Sequence, residues 1–562
     1  MTLAAHAPPA RRISEARVAG LLLGVLVALL LVIIALPLWA LLSKSVQNAD
    51  GGFVGLKNFI TYFSTPSLVT ALTNSLFVAL LTTLIVVPLA FLFAYALTRS
   101  CMPGKGLFTA LALLPIFAPS LLSAISLIYI FGNQGFLKSL LMGRDIYGAI
   151  GIVFAQCCYC FPHAVMIIAT ALRMADGRLY EVADALGTTP TRVFLTVTLP
   201  GARYGLISAA FVVFTLVITD FGIPKVIGGQ FNVLATDAYK QIVGQQNFEM
   251  GAVVGLILLA PAVLAFAVDR HIQKRQVALL SARAVPYEPK PKAGRDMALL
   301  AFCAAIGLIL AGMLGMAVWA SFIQYWPYNL TLSLKHYDFA EYEPGGWGPY
   351  LTSLKMAGLV AIIGTGLILI GAYLIEKTKG SLILRGFAHL LAMLPMAVPG
   401  LVLGLGYVFF VNAKWNPLNI FYGTLTVLVV NTIAHFYTVA HITATTALKQ
   451  IDTEFESVSA SLKVPFWVTF RRVTVPITLP AILDIAVYMF VNALTTISAV
   501  VFLYGPGTKL ASIAIVHMDE AGATAAAAAM ATCIVLTAIA AKLMHLLLDR
   551  FVLGHLQRWR KR

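Results

Sequence analysis

The residues able to do chemistry are few, and they come in duplicate. Between two apolar runs lies TALRMADGRLYEVADALGTTPTRVFLTVTLP (170–200), where Glu181 and Asp184 stand three apart and so share one face of a helix. Val182, Ala185 and Leu186 fall on the side expected to turn towards protein. Gly187 can take the left-handed conformation that ends a helix, and Pro190 suits the first turn of the next. The spacing therefore predicts a short helix over 179–186, a stop at Gly187 and a second helix from about Thr189, an elbow that projects from the elements around it. A related string, TALKQIDTEFESVSASLKVPFWVTFRRVTVP (446–476), follows at an offset of 276 and puts Pro476 in the place of Pro200. There Ser457 replaces Glu181, Ser459 replaces Ala183 and Lys463 replaces Gly187. Glu456 stands one position early, which turns its carboxyl about 100° around the helix.

Charged groups within apolar runs are costly in lipid and face a cavity or a partner. Asp220, in ITDFGIP, and Asp484, in the run 479–502, are two such acids, and both are candidates for a translocation path. Asp484 is expected to pair with a neighbouring helix. His163, His435 and His441 are expected to hydrogen-bond between helices rather than to relay protons. The cluster CCYC (157–160) has no carboxylate or second CxxC near it, so it reads as small polarizable core residues and not as a metal site. No GxxxxGK[ST] loop occurs, because PGKG (103–106) lacks the spacing, and no nucleotide chemistry is expected of the chain.

The elements that must position these residues follow from composition. Of 562 residues 60% are hydrophobic and 11% charged, where soluble proteins carry roughly 25% charged residues. Mean hydropathy is +0.89. Apolar stretches of spanning length occur near 19–42, 68–98, 107–131, 147–172, 202–221 and 249–269, and again near 298–322, 350–375, 385–411, 418–446, 479–502 and 524–549. The chain is thus expected to be an all-α polytopic membrane protein of twelve spans. A polar tail (1–18) leads into a first six-helix unit (19–270), a Pro- and Lys/Arg-rich linker (271–296), a second unit (297–552) and a short tail (553–562). The first apolar run is too long for a signal-peptide core and is expected to remain as a span. ALLPIFAPS (112–120) and AMLPMAVPG (392–400) match at an offset of 280, so the second unit repeats the first in the same orientation. Pro88, Pro115, Pro119, Pro395 and Pro399 are expected to kink their helices.

The net charge of +16 sorts by loop. Of 39 Lys and Arg, 29 fall in the alternate segments that include both termini, the linker and the elbows, while 9 fall in the others and Lys355 sits at a boundary. Positive residues are retained inside, so both termini are expected to be cytoplasmic, and the charge is matched to anionic headgroups of the bilayer rather than to nucleic acid. The six cysteines include no pair in a long loop, which argues against a disulfide scaffold.

The string EVADALG, with Pro200 thirteen residues beyond Gly187, resembles the coupling-loop signature of ATP-binding-cassette importer permeases, and a degenerate copy stands at the equivalent place in the second unit. The fused arrangement is similar to ferric-iron-type permeases of the type I, MetI-like importer group. That resemblance implies two tandem six-helix permease units in a bacterial inner membrane. It implies that Glu181, Ala183, Asp184, Gly187 and Pro200, and in the second copy Glu456, Ser457, Lys463 and Pro476, dock on a cytoplasmic ATPase dimer. ATP and Mg would belong to that partner, with no cofactor and no catalytic residue on this chain. An extracytoplasmic binding protein would dock on the outer loops 43–67, 132–146, 222–248 and 323–349, the last rich in aromatics (Tyr325, Trp326, Tyr328, Tyr337, Phe339, Tyr342, Trp347). The stretches YWPYNLTLSLKHYDF (325–339), LGLGYVFFVN (403–412) and 431–476 resemble permeases assigned to 2-aminoethylphosphonate uptake, which makes that the expected cargo. Ferric iron, spermidine, thiamine and sulfate stay open as cargoes. A proton-coupled secondary transporter also comes as twelve helices in two halves, but needs no duplicated elbow.

Overall fold

The computed structural model describes residues 15–279, 285, 287–378 and 381–553. The tail residues 1–14 and 554–562, and linker residues 280–284 and 286, lie outside that description. In the first unit the main helices are α1 (Arg17–Ser45), α2 (Pro66–Arg99), a bent pair α3 (Lys105–Phe117) and α4 (Ser120–Phe131), α5 (Ala149–Arg173), the short α6 (Arg178–Ala185), α7 (Pro190–Thr219) and α8 (Phe248–Asp269). The second unit repeats them as α9 (Ala293–Phe322), α10 (Gly348–Glu376), a bent pair α11 (Leu382–Ala397) and α12 (Gly400–Val411), α13 (Leu425–Lys449), the short α14 (Glu454–Ser461), α15 (Phe466–Thr495) and α16 (Thr524–Phe551). Among the described residues ten of these are long and apolar enough to cross a membrane alone.

The expected third and ninth spans are not single helices. α3 meets α4 at 103° and α11 meets α12 at 114°. The cause is the proline pair in each: Pro119 and Pro399 force Ala118 and Val398 into extended conformations (ψ 140° and 116°), which breaks the helix outright instead of kinking it. Pro88, by contrast, is carried inside an uninterrupted α2. The first broken pair still connects the two sides. The Cys101 thiol, just before α3, donates to the Pro289 carbonyl beside the start of α9 (3.1 Å), and Trp326 Nε1, just beyond the end of α9, donates to the Gln134 carbonyl past α4 (3.2 Å). α9 is 30 residues long, about 45 Å at 1.5 Å per residue. The ends of the pair are therefore a bilayer apart.

Four other boundaries differ from expectation. α7 and α15 begin at Pro190 and Phe466, well before 202 and 479, because the second helix of each elbow runs into the span through a π turn (Phe194–Thr198 and Phe470–Thr474). Pro200 and Pro476 lie just after these turns, and the missing proline N–H explains the local widening. α15 stops at Thr495, since Thr496 is extended and the apolar residues to 502 form turns. α13 starts at Leu425, after a 3-10 turn over Pro417–Phe421.

The units are interlocked. α1 packs on α11 and α12 of the second unit, and α9 packs on α3 and α4 of the first. Helices in lipid gain little from apolar burial against each other, so close backbone approach and hydrogen bonds hold such seams. Both occur here. A Cβ on Gly406 would lie 2.6 Å from the Pro37 carbonyl oxygen, so only glycine permits this approach of α12 to α1. Pro37 lacks the N–H that would satisfy the Ile33 carbonyl one turn back, and the Tyr407 hydroxyl donates to that carbonyl from the other unit at 2.6 Å. The repeat extends to single bonds: Leu234 N–H donates to Ser75 Oγ (2.7 Å) and Ala511 N–H to Ser353 Oγ (2.8 Å).

Lys44, at the end of α1, pairs with Glu249 at the start of α8 (2.7 Å), so the two helices are antiparallel. The start of α1, the linker and both elbows consequently share one side, with Ala19 beside Glu456 and Val285 beside Gly177. The opposite side carries a two-stranded hairpin, β1 (Ile323–Tyr325) and β2 (Asn329–Leu332), found only after α9 among the described residues.

Candidate functional site

Both elbows form as the spacing predicts. α6 ends at Ala185, Gly187 takes φ +63°, Thr188 N–H returns to the Ala183 carbonyl (3.0 Å), and Thr189 is extended ahead of Pro190. The second elbow reproduces this without the glycine. Lys463 sits at φ +55°, Val464 N–H returns to the Ser459 carbonyl (2.9 Å), and Pro465 is extended. Non-glycine residues rarely adopt this left-handed conformation, so the geometry of the second copy is held by its surroundings rather than by residue preference.

The orientation of the first short helix differs from the sequence reading. Val182, Ala185 and Leu186 do not turn towards protein; all three are exposed, and the residues facing inward are Tyr180 and Ala183. With Leu179 they leave an apolar stripe, Leu179, Val182 and Leu186, open on the surface. At an offset of 276 the second elbow exposes Phe455, Val458 and Leu462 in the same way. Glu181, Asp184, Ser457, Pro200 and Pro476 are exposed as well. Asp184 is hydrogen-bonded to Lys290 of the linker (2.6 Å), which holds its carboxyl below the usual range and raises the lysine. This pair is solvated and adds little stability.

Glu456 is turned inward. It pairs with Lys377 at 3.1 Å, so it does not take the outward place of Glu181. Lys377 is 6% exposed, and its ammonium also donates to the Ile451 carbonyl (2.9 Å). The first unit has the same arrangement with different chemistry: Arg99, 3% exposed, donates to the Leu172 carbonyl (2.6 Å) and lies over the rings of Tyr180 (5.1 Å) and Tyr287 (4.6 Å). A buried cation at the end of the second span thus anchors the inward face of each elbow helix. Sequence reasoning missed both cations and the exposed stripes. The i, i+3, i+7 apolar spacing, repeated 276 residues on, was the available signal for the stripes.

The two acids of the candidate path lie apart. Asp220 Oδ2 accepts from Gln156 Nε2 of α5 (2.9 Å) and from the Ile223 N–H (2.9 Å), where it caps the short helix Gly222–Ile227. Asp484 lies 3.3 Å from His545 Nε2 of α16 and, with Thr443, Thr446, Gln450 and Thr478, lines a cavity of about 410 Å³ between α13 and α15. Of the three histidines, His441 does not make the expected interhelical hydrogen bond, since both ring nitrogens are buried without a partner and the ring stacks on Tyr437 at 5.8 Å. Nδ1 of His163 and of His435 is likewise unpartnered. Far from the elbows, Lys225 of the first unit pairs with Glu520 of the second (2.5 Å), and Tyr239 stacks on Phe502 (6.0 Å), closing the units against each other on the hairpin side.

Comparison with known proteins places this geometry. The chain is 27% identical over 481 residues (82% of this chain, 74% of the relative) to the putative ferric transport system permease protein FbpB 1 of Haemophilus influenzae. It is 24% identical over 506 residues (89% and 93%) to the Fe(3+)-transport system permease protein FbpB 2 of the same species. A single-unit relative, the probable sulfate transport system permease protein cysT of Nephroselmis olivacea, is 25% identical over 236 residues (41% of this chain, 81% of the relative). The family described as binding-protein-dependent transport system inner membrane component matches twice, over residues 87–277 and 364–554, one match to each unit. The chain belongs to that family, as a fused two-copy permease.

Proposed function

We propose that this chain is the membrane-spanning subunit of an ATP-driven importer, and that its two elbows receive the stroke of a separate cytoplasmic ATPase dimer carrying ATP and Mg. The observation that supports this most directly is the duplicated apolar stripe, Leu179/Val182/Leu186 and Phe455/Val458/Leu462, left open on two projecting helices on one side of the molecule. Exposed apolar stripes of this kind mark a protein interface. On this reading the elbow side, the linker and both termini are cytoplasmic, in agreement with the distribution of Lys and Arg. Closure of the ATPase dimer draws the elbows together, each elbow passes the movement directly into α7 or α15 because no loop separates them, and the seam at Lys225 and Glu520 opens towards an extracytoplasmic binding protein. Asp220 and Asp484 line or brace the path between. The residues of the first elbow, Glu181, Ala183, Asp184, Gly187 and Pro200, and of the second, Ser457, Lys463 and Pro476, shape the docking surface; Glu456 braces its helix from within.

The test is copurification of the chain with its ATPase and ATP-driven uptake in proteoliposomes. Val182→Asp with Val458→Asp should abolish both while the chain remains folded. Full coupling in that double variant would remove the elbows from the mechanism.

For the cargo we read 2-aminoethylphosphonate, on the resemblance of 325–339, 403–412 and 431–476 to permeases of that assignment. Ferric iron is the second reading, favoured by the names of the long relatives. Calorimetry of the cognate binding protein decides between them: binding of the phosphonate with none of ferric iron supports the first, and the converse replaces it.

A further inference from the structure

The interlocked units create two seams related by the internal repeat, and the seams are finished differently. In one, α9 meets α4. There Trp319 stacks on Phe136 (5.7 Å, 22° between planes), and Trp326, delivered by the hairpin, packs edge-on against Phe136 (4.2 Å), Tyr129 (5.4 Å) and Trp319 (5.8 Å). In the other, α1 meets α12. α1 carries Trp39, 280 residues before Trp319 of α9. No hairpin follows α1; the chain turns back through a single bridge between Gln47 and Phe53. Trp39 is left 67% exposed and Trp415 77% exposed, and they flank a hollow of about 850 Å³.

The lining of that hollow is graded. Val32, Leu36 and Phe409 form its apolar floor, and Ser43, Lys44, Gln47 and Asn412 its polar rim. From Val32 to Lys44 is twelve residues of helix, about 18 Å, which is the depth of one leaflet from near its midplane to the headgroups. Tryptophans at the upper wall sit where interfacial tryptophans are favoured. The rim cation already serves Glu249 with one N–H, and an ammonium has three. Volume, depth and polarity all match an amphiphile standing upright in the bilayer, whereas the corresponding hollow of the other seam, lined by Tyr129 and Trp326, measures only about 450 Å³.

We propose that the seam between α1 and α12 is a phospholipid-binding site, with an acyl chain between Trp39, Leu36 and Phe409 and the phosphate at Lys44 and Asn412. The lipid takes up the space by which this hollow exceeds its counterpart beside Trp326. Its walls, α1 and α12, are held together by the close approach at Gly406 and the Tyr407 hydrogen bond, so a lipid seated there is retained in the detergent-extracted protein.

The experiment is native mass spectrometry of the full chain with its ATPase, stripped in detergent and titrated with palmitoyl-oleoyl phosphatidylethanolamine. The wild type should retain one phospholipid after stripping. Ala40→Trp, which fills the hollow from α1, should bind it at least roughly tenfold more weakly, whereas Leu84→Trp, on the exposed face of α2, should not. Equal retention in both variants, or none in the wild type, overturns the site. If Ala40→Trp does not fold, a photoactivatable phosphatidylethanolamine on the wild type gives the answer: labelling within 32–47 and 408–418 supports the site, and labelling confined to other segments refutes it.

Discussion

At the elbow-side end of the second span of each unit stands a buried cation, and the two copies satisfy it differently. Arg99 is planar and weakly hydrated, and it lies over the rings of Tyr180 and Tyr287, which pack on each other, while it donates to the Leu172 carbonyl. Lys377 is a compact charge and has a carboxylate instead, Glu456. Removing one member of such a pair leaves the other uncompensated away from water. Lys377→Met is therefore expected to destabilise the chain by roughly 2–4 kcal/mol, and the double change with Glu456→Gln to recover much of that loss. Thermal unfolding of the four proteins in detergent measures the coupling; additive losses would mean that the pair does not anchor the helix. Sequence reading placed Glu456 as a possible docking acid because register alone cannot show which face a helix presents. That is decided by Lys377, far off in the chain.

At the scale of elements, the elbows separate backbone preference from tertiary hold. Gly187 has open space where a Cβ would stand, so Gly187→Ala tests its left-handed conformation alone. The cost is expected at about 1 kcal/mol. Lys463→Gly relieves the corresponding strain in the second elbow but adds freedom to the unfolded chain, so a net gain of a few tenths of a kcal/mol is expected. Melting temperatures in detergent distinguish the two, and a destabilising Lys463→Gly would show that the lysine side chain has a structural role. The elbow was legible in the sequence because Gly187, Pro190 and Pro200 are local signals. The two broken spans were not. ALLPIFAPS and AMLPMAVPG announce a disturbance, but whether paired prolines kink or break a helix depends on what packs into the gap. Here the tight approach of α12 to α1 at Gly406 and the Asp220 cap beside Ser120 depend on neighbours distant in sequence.

For the whole molecule, the ion pair Lys225–Glu520 and the ring pair Tyr239–Phe502 tie the units on the side away from the elbows. If alternating access opens this seam, a short bis-thiosulfonate linker between Lys225→Cys and Glu520→Cys should stop uptake, leave ATPase binding intact, and release both units on reduction. Uptake by the fully cross-linked protein would show that the opening lies elsewhere. The twelve apolar runs and their duplication were readable from composition and repeat, yet nothing in the sequence shows that α1 belongs against α11 and α12, and α9 against α3 and α4. That exchange has a consequence for synthesis. α1 leaves the ribosome before the second unit and meets α11 and α12 only when that unit is inserted, so until then the Ile33 carbonyl and the face of α1 that Gly406 approaches are open to lipid or an insertion chaperone. A nascent chain halted at the linker is thus a natural substrate for membrane quality control, and fusion into one polypeptide guarantees that the missing half arrives in the same bilayer, next to the half that waits for it.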